Sequence, residues 1–445
     1  MLRRLLFYNF RLVFNLDYWI KRRFTQAGLL VLGGTIAAGV FGIDTRQNLA
    51  YQLFSLLTTL LFIALLSSWF FRIRLSAQRY LPRFATVGET LSYRIRVHNH
   101  TSQQQRDLSL LEDIQFHPPS FEIFLQAKEP HSEKRNRFDT YVGYPRWLWL
   151  MYRSKGVHVT EQRLPHLPPQ SMADVNMTLI PLRRGYVHFV GMTFARPDPL
   201  GLWNALYSIC QPNNLLVLPK SYPIGPLPLL GTRQYQRGGI NLALSVGNTE
   251  EFVSLRDYRP GDPLRRIHWK SLAKIGKPIV REFHDEFFVR YALILDTFTA
   301  RPTEQLFEAV ISVAASIVCA PRSHDILLDL MFVGPQAYCF TSGRGVAQNE
   351  QLLEILACVE ACTNQPFSML SSLVLEHLPS LSGCVNIFLN WDEARQCFVS
   401  MLKNLGVPLL TIVVSAHKDI NVPKDIQVVF LDDLASGLAT LSKMR

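Results

Sequence analysis

The stretch "SLRDYRPGDPLRRIHWKSLAKIGKPIVREF", residues 254–283, carries eight lysines and arginines around one histidine and one tryptophan. Pro260 and Gly261 suit the central positions of a type II turn, because proline presets φ and glycine supplies a positive φ. Asp262 can cap a helix that runs to Ile275 and stops at Gly276. We therefore predict a turn, a helix and a strand within residues 250–290, which join two larger domains.

The predicted helix has a cationic face, formed by Arg265, Arg266, Lys270 and Lys274. Three functions are open for it. Arginine pairs bidentately with carboxylates, so the face can dock an acidic protein. His268 with Asp257 or Asp262 can form an acid/base pair, although no convincing nucleophile lies nearby in the sequence. The cations can also bind nucleic-acid phosphates, but the interspersed acidic residues disfavour that use.

A purely structural role for the same segment competes with these functions. An ion-pair network that locks two domains together can be built from Arg256, Asp257, Asp262, Arg281 and Glu282. In that arrangement Trp269 is a core anchor and His268 a satisfied hydrogen-bond donor.

Upstream, residues 75–225 predict a β-sandwich of immunoglobulin-like size, because short runs alternate apolar and polar residues, as in "TLSYRIRVHNH". An aromatic insertion, residues 116–156, ends in "YVGYPRWLWLMYRSKG". Its Trp147 and Trp149 alternate with apolar residues beside arginines, which suits a hairpin. That hairpin either touches the bilayer or folds its aromatic side chains onto the sandwich.

Still further upstream, residues 24–71 predict a two-helix membrane hairpin. Phe24 to Ile43 has no charge over twenty residues, and Leu49 to Phe71 is a second uncharged run. Twenty helical residues extend about 30 Å, the hydrocarbon thickness of a bilayer. Arginines and lysines precede the first run and follow the second, whereas the connector holds Arg46 alone. The positive-inside rule therefore predicts that both termini are cytoplasmic.

Residues 1–23 mix aromatic residues with arginines. This pattern fits an interfacial helix or a cytoplasmic extension of the first span, and the sequence leaves both open.

Downstream, residues 291–445 alternate continuous apolar strands with helices, which predicts a doubly wound α/β domain. Ligands of such sheets bind beyond the carboxyl ends of the strands. Asp296, Thr297 and Thr299 follow the first predicted strand, and Asn390 with Asp392 follow a later one.

The chain carries no phosphate-binding glycine motif, no nucleophile elbow and no HExxH. We therefore expect no cofactor, no metal and no catalytic residue. Seven cysteines without a CxxC pair predict free thiols in a reducing compartment.

The segment resembles the signature of the domain-of-unknown-function 58 family (DUF58). The resemblance is carried by Arg256, Tyr258, Pro260-Gly261-Asp262, Arg266-Ile267-His268-Trp269-Lys270, Ala273, Gly276 and Val280-Arg281-Glu282-Phe283. The paired apolar runs, "RRGYVHF" and "DPLGLW" extend it along the chain. It implies a bacterial inner-membrane protein with a von Willebrand factor A-like C-terminal domain and no known enzymatic activity.

The same resemblance implies partners of two kinds, a MoxR-type AAA+ ATPase and a transglutaminase-like membrane protein. It also exposes a departure. Metal-binding von Willebrand A-like domains begin with DxSxS, whose hydroxyls and carboxylate hold Mg²⁺. Here Phe298 and Ala300 occupy the hydroxyl positions after Asp296, which argues against a metal site. The sequence thus favours a membrane-anchored scaffold that docks a protein partner, rather than an enzyme or a nucleic-acid-binding protein.

Overall fold

The computed structural model describes residues 2–41, 48–71, 73–116, 118–127, 142–225, 252–260, 262, 264, 267–283, 289–299, 304–321, 326–342, 346–416 and 422–441. The chain forms two compact units, Met1–Lys220 and Ser221–Arg445. Gly261, Arg265, Arg266 and Ala300 lie outside the described residues.

The described residues of the first unit form helices α1 (Leu2–Arg23), α2 (Gln26–Phe41), α3 (Asn48–Trp69), α4 (Phe121–Gln126) and α5 (Tyr144–Ser154). They also form strands β1 (Leu75–Tyr80), β2 (Phe84–Thr86), β3 (Leu91–Asn99), β4 (Ser109–Ile114), β5 (Val157–Val159), β6 (Gln162–Arg163), β7 (Met172–Pro181), β8 (Gly185–Pro197) and β9 (Asn204–Leu218).

Of the two apolar helices, α3 is long and apolar enough to cross a membrane. Helix α2 has 16 residues, about 24 Å of helix, and is shorter than the twenty-residue span predicted. The two helices pack closely, because a Cβ at Gly34 would contact Leu57 and one at Gly39 would contact Phe54. Helices α2 and α3 therefore pack antiparallel, as in a helical hairpin.

The strands form two sheets, in the orders β1-β3-β7-β5 and β2-β9-β8-β4-β6. The alternation predicted for residues 90–100 is present in β3, where Tyr93, Ile95 and Val97 are buried and their neighbours are not. Both sheets contribute to one apolar core, which includes Ile95 and Met177 from the first and Phe189 and Phe194 from the second. The region is therefore a two-layer β-sandwich.

A buried ion pair crosses this sandwich. Arg79 of β1 donates to Glu112 of β4 through Nε (3.0 Å) and Nη2 (2.5 Å), and both side chains are fully buried. The Tyr93 hydroxyl donates to the same carboxylate at 2.8 Å. Arg79 is one of the arginines that follow the second apolar run in the sequence. It is nevertheless a core residue of the sandwich.

The insertion folds differently from the predicted hairpin. Residues Tyr144–Ser154 form helix α5, with Pro145 in its first turn and a preceding Gly143 at φ 79°. Proline is tolerated in the first helical turn and presets its φ, which favours helix over strand here. Trp147 is only 1% exposed, and its ring lies against Phe10 and Phe14 of α1. The hypothesis that Trp147 touches lipid is therefore wrong.

The loop between β8 and β9 packs against the apolar helices. Leu202 and Trp203 form a cluster with Ala64 and Leu60 of α3. The Asp198 carboxylate shapes this loop by accepting from the backbone N–H groups of Leu202 (2.6 Å) and Trp203 (2.7 Å). The sequence motif "DPLGLW" is thus the contact between the sandwich and the helices.

The described residues of the second unit form strands β10 (Phe252–Asp257), β11 (Ile279–Phe283), β12 (Val289–Leu295), β13 (Ile326–Val333), β14 (Ala337–Ser342), β15 (Gly383–Phe388), β16 (Leu409–Ser415) and β17 (Gln427–Phe430). Its helices are α6 (Trp269–Ile275), α7 (Glu304–Cys319), α8 (Val346–Cys358), α9 (Ser368–His377), α10 (Glu393–Asn404) and α11 (Leu434–Leu441). Strands β10 and β11 form a separate antiparallel pair.

Six strands form one open sheet in the order β14-β13-β12-β15-β16-β17. All pairs are parallel except β13 with β14 at one edge. Separate apolar clusters cover the two faces, one including side chains of α7, α8 and α11 and the other side chains of α9 and α10. The chain order reverses between β12 and β15, so the carboxyl ends of these strands mark the topological switch point.

Candidate partner-binding site on the signature segment

The signature segment, residues 252–283, is built on the pairing of β10 with β11. Ile267 bridges Val280, and the His268 N–H donates to the Ile279 carbonyl at 2.8 Å. Ile267 and His268 are thereby held against β11. Helix α6 consequently starts at Trp269, later than the predicted Pro263, and it ends at Gly276 with φ 72°.

Asp262 does not cap this helix, contrary to the sequence prediction. Its carboxylate accepts from Arg256 Nη1 (2.7 Å) and Nη2 (2.8 Å) and from the Arg259 N–H (2.9 Å). The Asp262 N–H in turn donates to the Arg259 carbonyl at 3.0 Å, as expected for a turn around Pro260. The hydrogen bonds from Arg256, followed by the one from Arg259, lower the pKa of Asp262 to about 2. Arg256 and Asp262 thus hold the turn.

His268 takes the capping position that was predicted for Asp262. Its carbonyl accepts from the N–H groups of Ser271 (2.9 Å) and Leu272 (3.1 Å). Its Nδ1 lies 2.5 Å from Ser271 Oγ, so the ring closes over the first turn of α6. The predicted acid/base pair of His268 with Asp262 is not present, because His268 contacts Ser271 and Asp262 contacts Arg256 and Arg259.

Trp269 is 62% exposed and does not act as a core anchor. Leu264 and Ile275 of the same segment are also largely exposed, and so are Lys270 and Lys274. An apolar and cationic surface is thereby presented to solvent. We call these five residues the α6 surface.

The other predicted site residues contribute backbone to this framework. Tyr258 donates its N–H to the Pro278 carbonyl at 3.0 Å, and Pro260 is exposed in the turn. Arg281 and Glu282 lie on β11, paired with Leu255 and Ser254 of β10. The side chains of these two β11 residues are outside what the structure describes. Of the predicted ion-pair network, the structure therefore describes the pair between Arg256 and Asp262.

A second polar site lies at the switch point of the six-stranded sheet. Asp296, at the end of β12, is fully buried and accepts from Arg395 Nε and Nη2 of α10, each at 3.0 Å. The backbone N–H groups of Phe298 (3.0 Å) and Leu389 (3.3 Å) donate to the same carboxylate. Arg395 also pairs with Asp392. Arg395 was not among the residues predicted from the sequence, although its place three residues after Asp392 was a usable signal.

These residues do not fit a divalent cation. The Arg395 guanidinium contacts both oxygens of Asp296, and Thr297 Oγ1 donates to the Val333 carbonyl. Phe298 is buried at a position where a metal-binding domain has a hydroxyl. Among the described residues, no group of three or more potential metal ligands is found.

A cavity of about 1000 Å³ opens beside the β13–β14 edge of the same sheet. Its aromatic wall is a stack of Phe332, Tyr338 and Phe340, with successive ring centroids 5.3 and 5.9 Å apart. Glu354 and Cys358 of α8 form the facing wall. The cavity is large enough for a small ligand or a side chain of a partner.

Together these features define a protein with an apolar helix able to cross a membrane, a β-sandwich and an open α/β unit. The chain is 25% identical over 191 residues to an uncharacterized protein, YeaD, of Bacillus subtilis (strain 168). That match covers 42% of this chain and 45% of the relative, so it spans less than half of the relative's length. No family model matches the chain.

Solved structures give only remote similarity. A mutant of Salmonella alpha-2-macroglobulin matches at 11% identity and a TM-score of 0.18, covering 36% of this chain and 7% of that one. The CARDB domain of PF1109 from Pyrococcus furiosus matches at 8% identity and a TM-score of 0.15, covering 32% of this chain and 93% of the domain. Similarities of this size do not define the fold.

Proposed function

We propose that this protein is a membrane-anchored adaptor that binds an acidic cytoplasmic protein through the α6 surface. The observation that carries the proposal is the 62% exposure of Trp269 on the second unit. Tryptophan is enriched where binding energy concentrates in protein interfaces. Covering a solvent-exposed tryptophan with a partner removes apolar surface from water, which stabilises the complex.

The membrane anchor is a helical hairpin of α2 and α3, with both termini on the cytoplasmic side of a bacterial inner membrane. The length and composition of α3 support this placement, as does the close packing of α2 against it. The flanking cations support the orientation, since Arg23, Arg74 and Arg83 lie next to the helices while the connector holds Arg46 alone.

The second unit is a von Willebrand factor A-like domain of the DUF58 type. Its sheet order, with one antiparallel edge strand and Asp296 after β12, supports this assignment. In this proposal the domain binds its partner without a metal at the switch point, because Arg395 already contacts both oxygens of Asp296. A MoxR-type AAA+ ATPase is the partner we propose, and a transglutaminase-like membrane protein can belong to the same assembly.

The test is affinity purification of the full-length protein from native membranes after cross-linking. Truncation of an interface tryptophan commonly costs about 2 kcal/mol or more, about a 30-fold loss of affinity. We expect Trp269→Ala, and Lys270→Glu with Lys274→Glu, to lose an ATPase that the unmodified protein retains. Leu405→Ala and Lys424→Glu are matched controls, because both residues are exposed elsewhere on the second unit.

Equal recovery of the ATPase with all of these variants would exclude the α6 surface as the docking site. Thermal unfolding of each variant separates loss of binding from loss of fold. A variant that melts with the unmodified protein but loses the partner supports the proposal.

A hydrolytic enzyme is the second candidate, favoured by the 2.5 Å contact between His268 Nδ1 and Ser271 Oγ. A histidine in hydrogen-bond reach can activate a serine for nucleophilic attack. The Asp262 carboxylate that could orient His268 is instead held by Arg256 and Arg259. Labelling of Ser271 by a fluorophosphonate probe, lost in His268→Ala, would replace the adaptor proposal with this one. We propose no nucleic-acid binding for the chain.

A further inference from the structure

Helix α1 has two apolar faces, and the described residues bury one of them and leave the other largely exposed. Phe7, Phe10 and Phe14 are buried against the insertion, where their cluster includes Phe124 of α4 and Trp147 of α5. The covered face thus holds the insertion on one side of α1.

The carboxyl-terminal half of α1 is fixed in place by charges and rings. The Lys155 ammonium lies 5.6 Å from the Phe14 ring and 5.1 Å from the Tyr18 ring, with Phe116 at 5.3 Å on a third side. Burial, together with the nearby charge of Arg22, lowers the pKa of Lys155. Arg22 itself pairs with Asp113 of the sandwich. These contacts orient α1 so that its other face is directed away from the insertion.

The uncovered face carries large apolar side chains. Tyr8, Leu12, Leu16 and Trp19 are between 50% and 69% exposed. At 3.6 residues per turn they fall within an arc of about 80°. We call these four residues the α1 stripe. Arg4 and Arg11, both exposed, lie on the same helix beside the stripe.

The stripe is continuous with the base of the apolar helices. The Trp19 ring lies 5.8 Å from that of Trp203 and 6.4 Å from that of Phe24, and Phe24 is 4.6 Å from Trp203. Trp203 belongs to the loop that packs on α3. Helix α1 ends at Arg23 and α2 begins at Gln26, so α1 is a separate helix and not an extension of α2. Tryptophan and aromatic clusters of this kind are typical of the membrane–water boundary.

We infer that the α1 stripe lies in the surface of an anionic lipid bilayer, with Arg4 and Arg11 at the level of the lipid phosphates. This inference rests on the membrane attachment proposed above. Its occupant is lipid and not protein, because the stripe adjoins a membrane-length apolar helix and its neighbouring cations match an anionic surface. The insertion then lies on the far side of α1, away from the lipid.

The test uses full-length protein in nanodiscs of phosphatidylcholine and radiolabelled phosphatidylglycerol. The photo-cross-linker p-benzoylphenylalanine replaces Leu12 or Leu16 in the stripe. It replaces Asp17 as the control, because that residue lies about 100° or more from the stripe around the helix. It replaces Leu56 of α3, an exposed residue of the proposed anchor, to test the membrane attachment itself.

We expect labelled lipid adducts from positions 12, 16 and 56, each at least about five-fold above position 17. Adducts at 56 with none at 12 and 16, or protein adducts at 12 and 16, overturn the stripe inference and leave the anchor intact. Adducts at 12 and 16 with none at 56 overturn the anchor alone. Equal labelling at 12, 16 and 17 also overturns the stripe, because it shows no preferred face.

Discussion

Arg395 and Asp296 form a bidentate, buried ion pair at the switch point of the α/β unit, with two hydrogen bonds of 3.0 Å. The guanidinium contacts both oxygens of this carboxylate, which leaves neither oxygen free for a cation. Its position is set by α10, whose first turn is capped by Asp392. The pair therefore connects β12 to a helix that follows β15.

Removal of the arginine should destabilise the second unit strongly. Arg395→Met leaves the Asp296 carboxylate buried without its partner, a change that typically costs about 3–5 kcal/mol. Lys403→Met is the matched control on the same helix, since Lys403 pairs with Asp425 at an exposed position. Denaturant unfolding of the purified protein measures both. Similar small losses in the two variants would show that the buried pair contributes little.

Divalent cations should not stabilise the unmodified protein. Because Arg395 already contacts both oxygens of Asp296, millimolar Mg²⁺ or Mn²⁺ finds no free carboxylate oxygen there. We expect the thermal unfolding midpoint to be the same with either cation and with EDTA. A rise that EDTA reverses, and that Asp296→Asn abolishes, would contradict this.

Two glycines of α2 should respond oppositely to alanine. A Cβ at Gly28 would lie 1.9 Å from the Leu202 carbonyl oxygen, whereas a Cβ at Gly33 would meet nothing within 4 Å. Gly28→Ala should therefore displace the β8–β9 loop and lower the melting temperature in detergent. Gly33→Ala should leave it unchanged or raise it slightly, because alanine favours helix over glycine by about 1 kcal/mol. Identical melting of the two variants would show that the loop does not contact α2.

The turn of the signature segment should lose stability in acid. The folded pKa of Asp262, about 2, is below its value of about 3.9 in an unfolded chain. Its contribution is therefore present above pH 4 and is lost as the pH falls from about 4 towards 2. Asp262→Asn should be less stable than the unmodified protein at pH 6 and indistinguishable from it near pH 2. A constant difference in unfolding midpoint across that range would refute the pairing with Arg256.

Local sequence patterns predicted much of the architecture. The uncharged run of α3, the alternation in β3 and the continuous apolar strands β12 and β15 each follow from a short window of residues. Periodicity was sufficient in these cases because burial on one face, or on all faces, leaves a repeating pattern.

Long-range contacts could not be predicted in this way. Arg79 belongs by sequence to the cations after α3, and only its contact with Glu112 makes it a core residue. Asp262 satisfies the rules for a helix cap, but the bridge of Ile267 to Val280 delays the helix until Trp269. Trp147 alternates with apolar residues as a strand would, yet its partners are on α1. In each case a residue distant in the chain overrode a local preference.

The seating of Leu202 between the sandwich and the apolar helices has a mechanical consequence. Thr25, directly before α2, donates its N–H to the Leu202 carbonyl, and Ala64 of α3 packs on the same loop. One β-turn therefore contacts both helices. A force applied to the sandwich is therefore transmitted to both helices through this short loop.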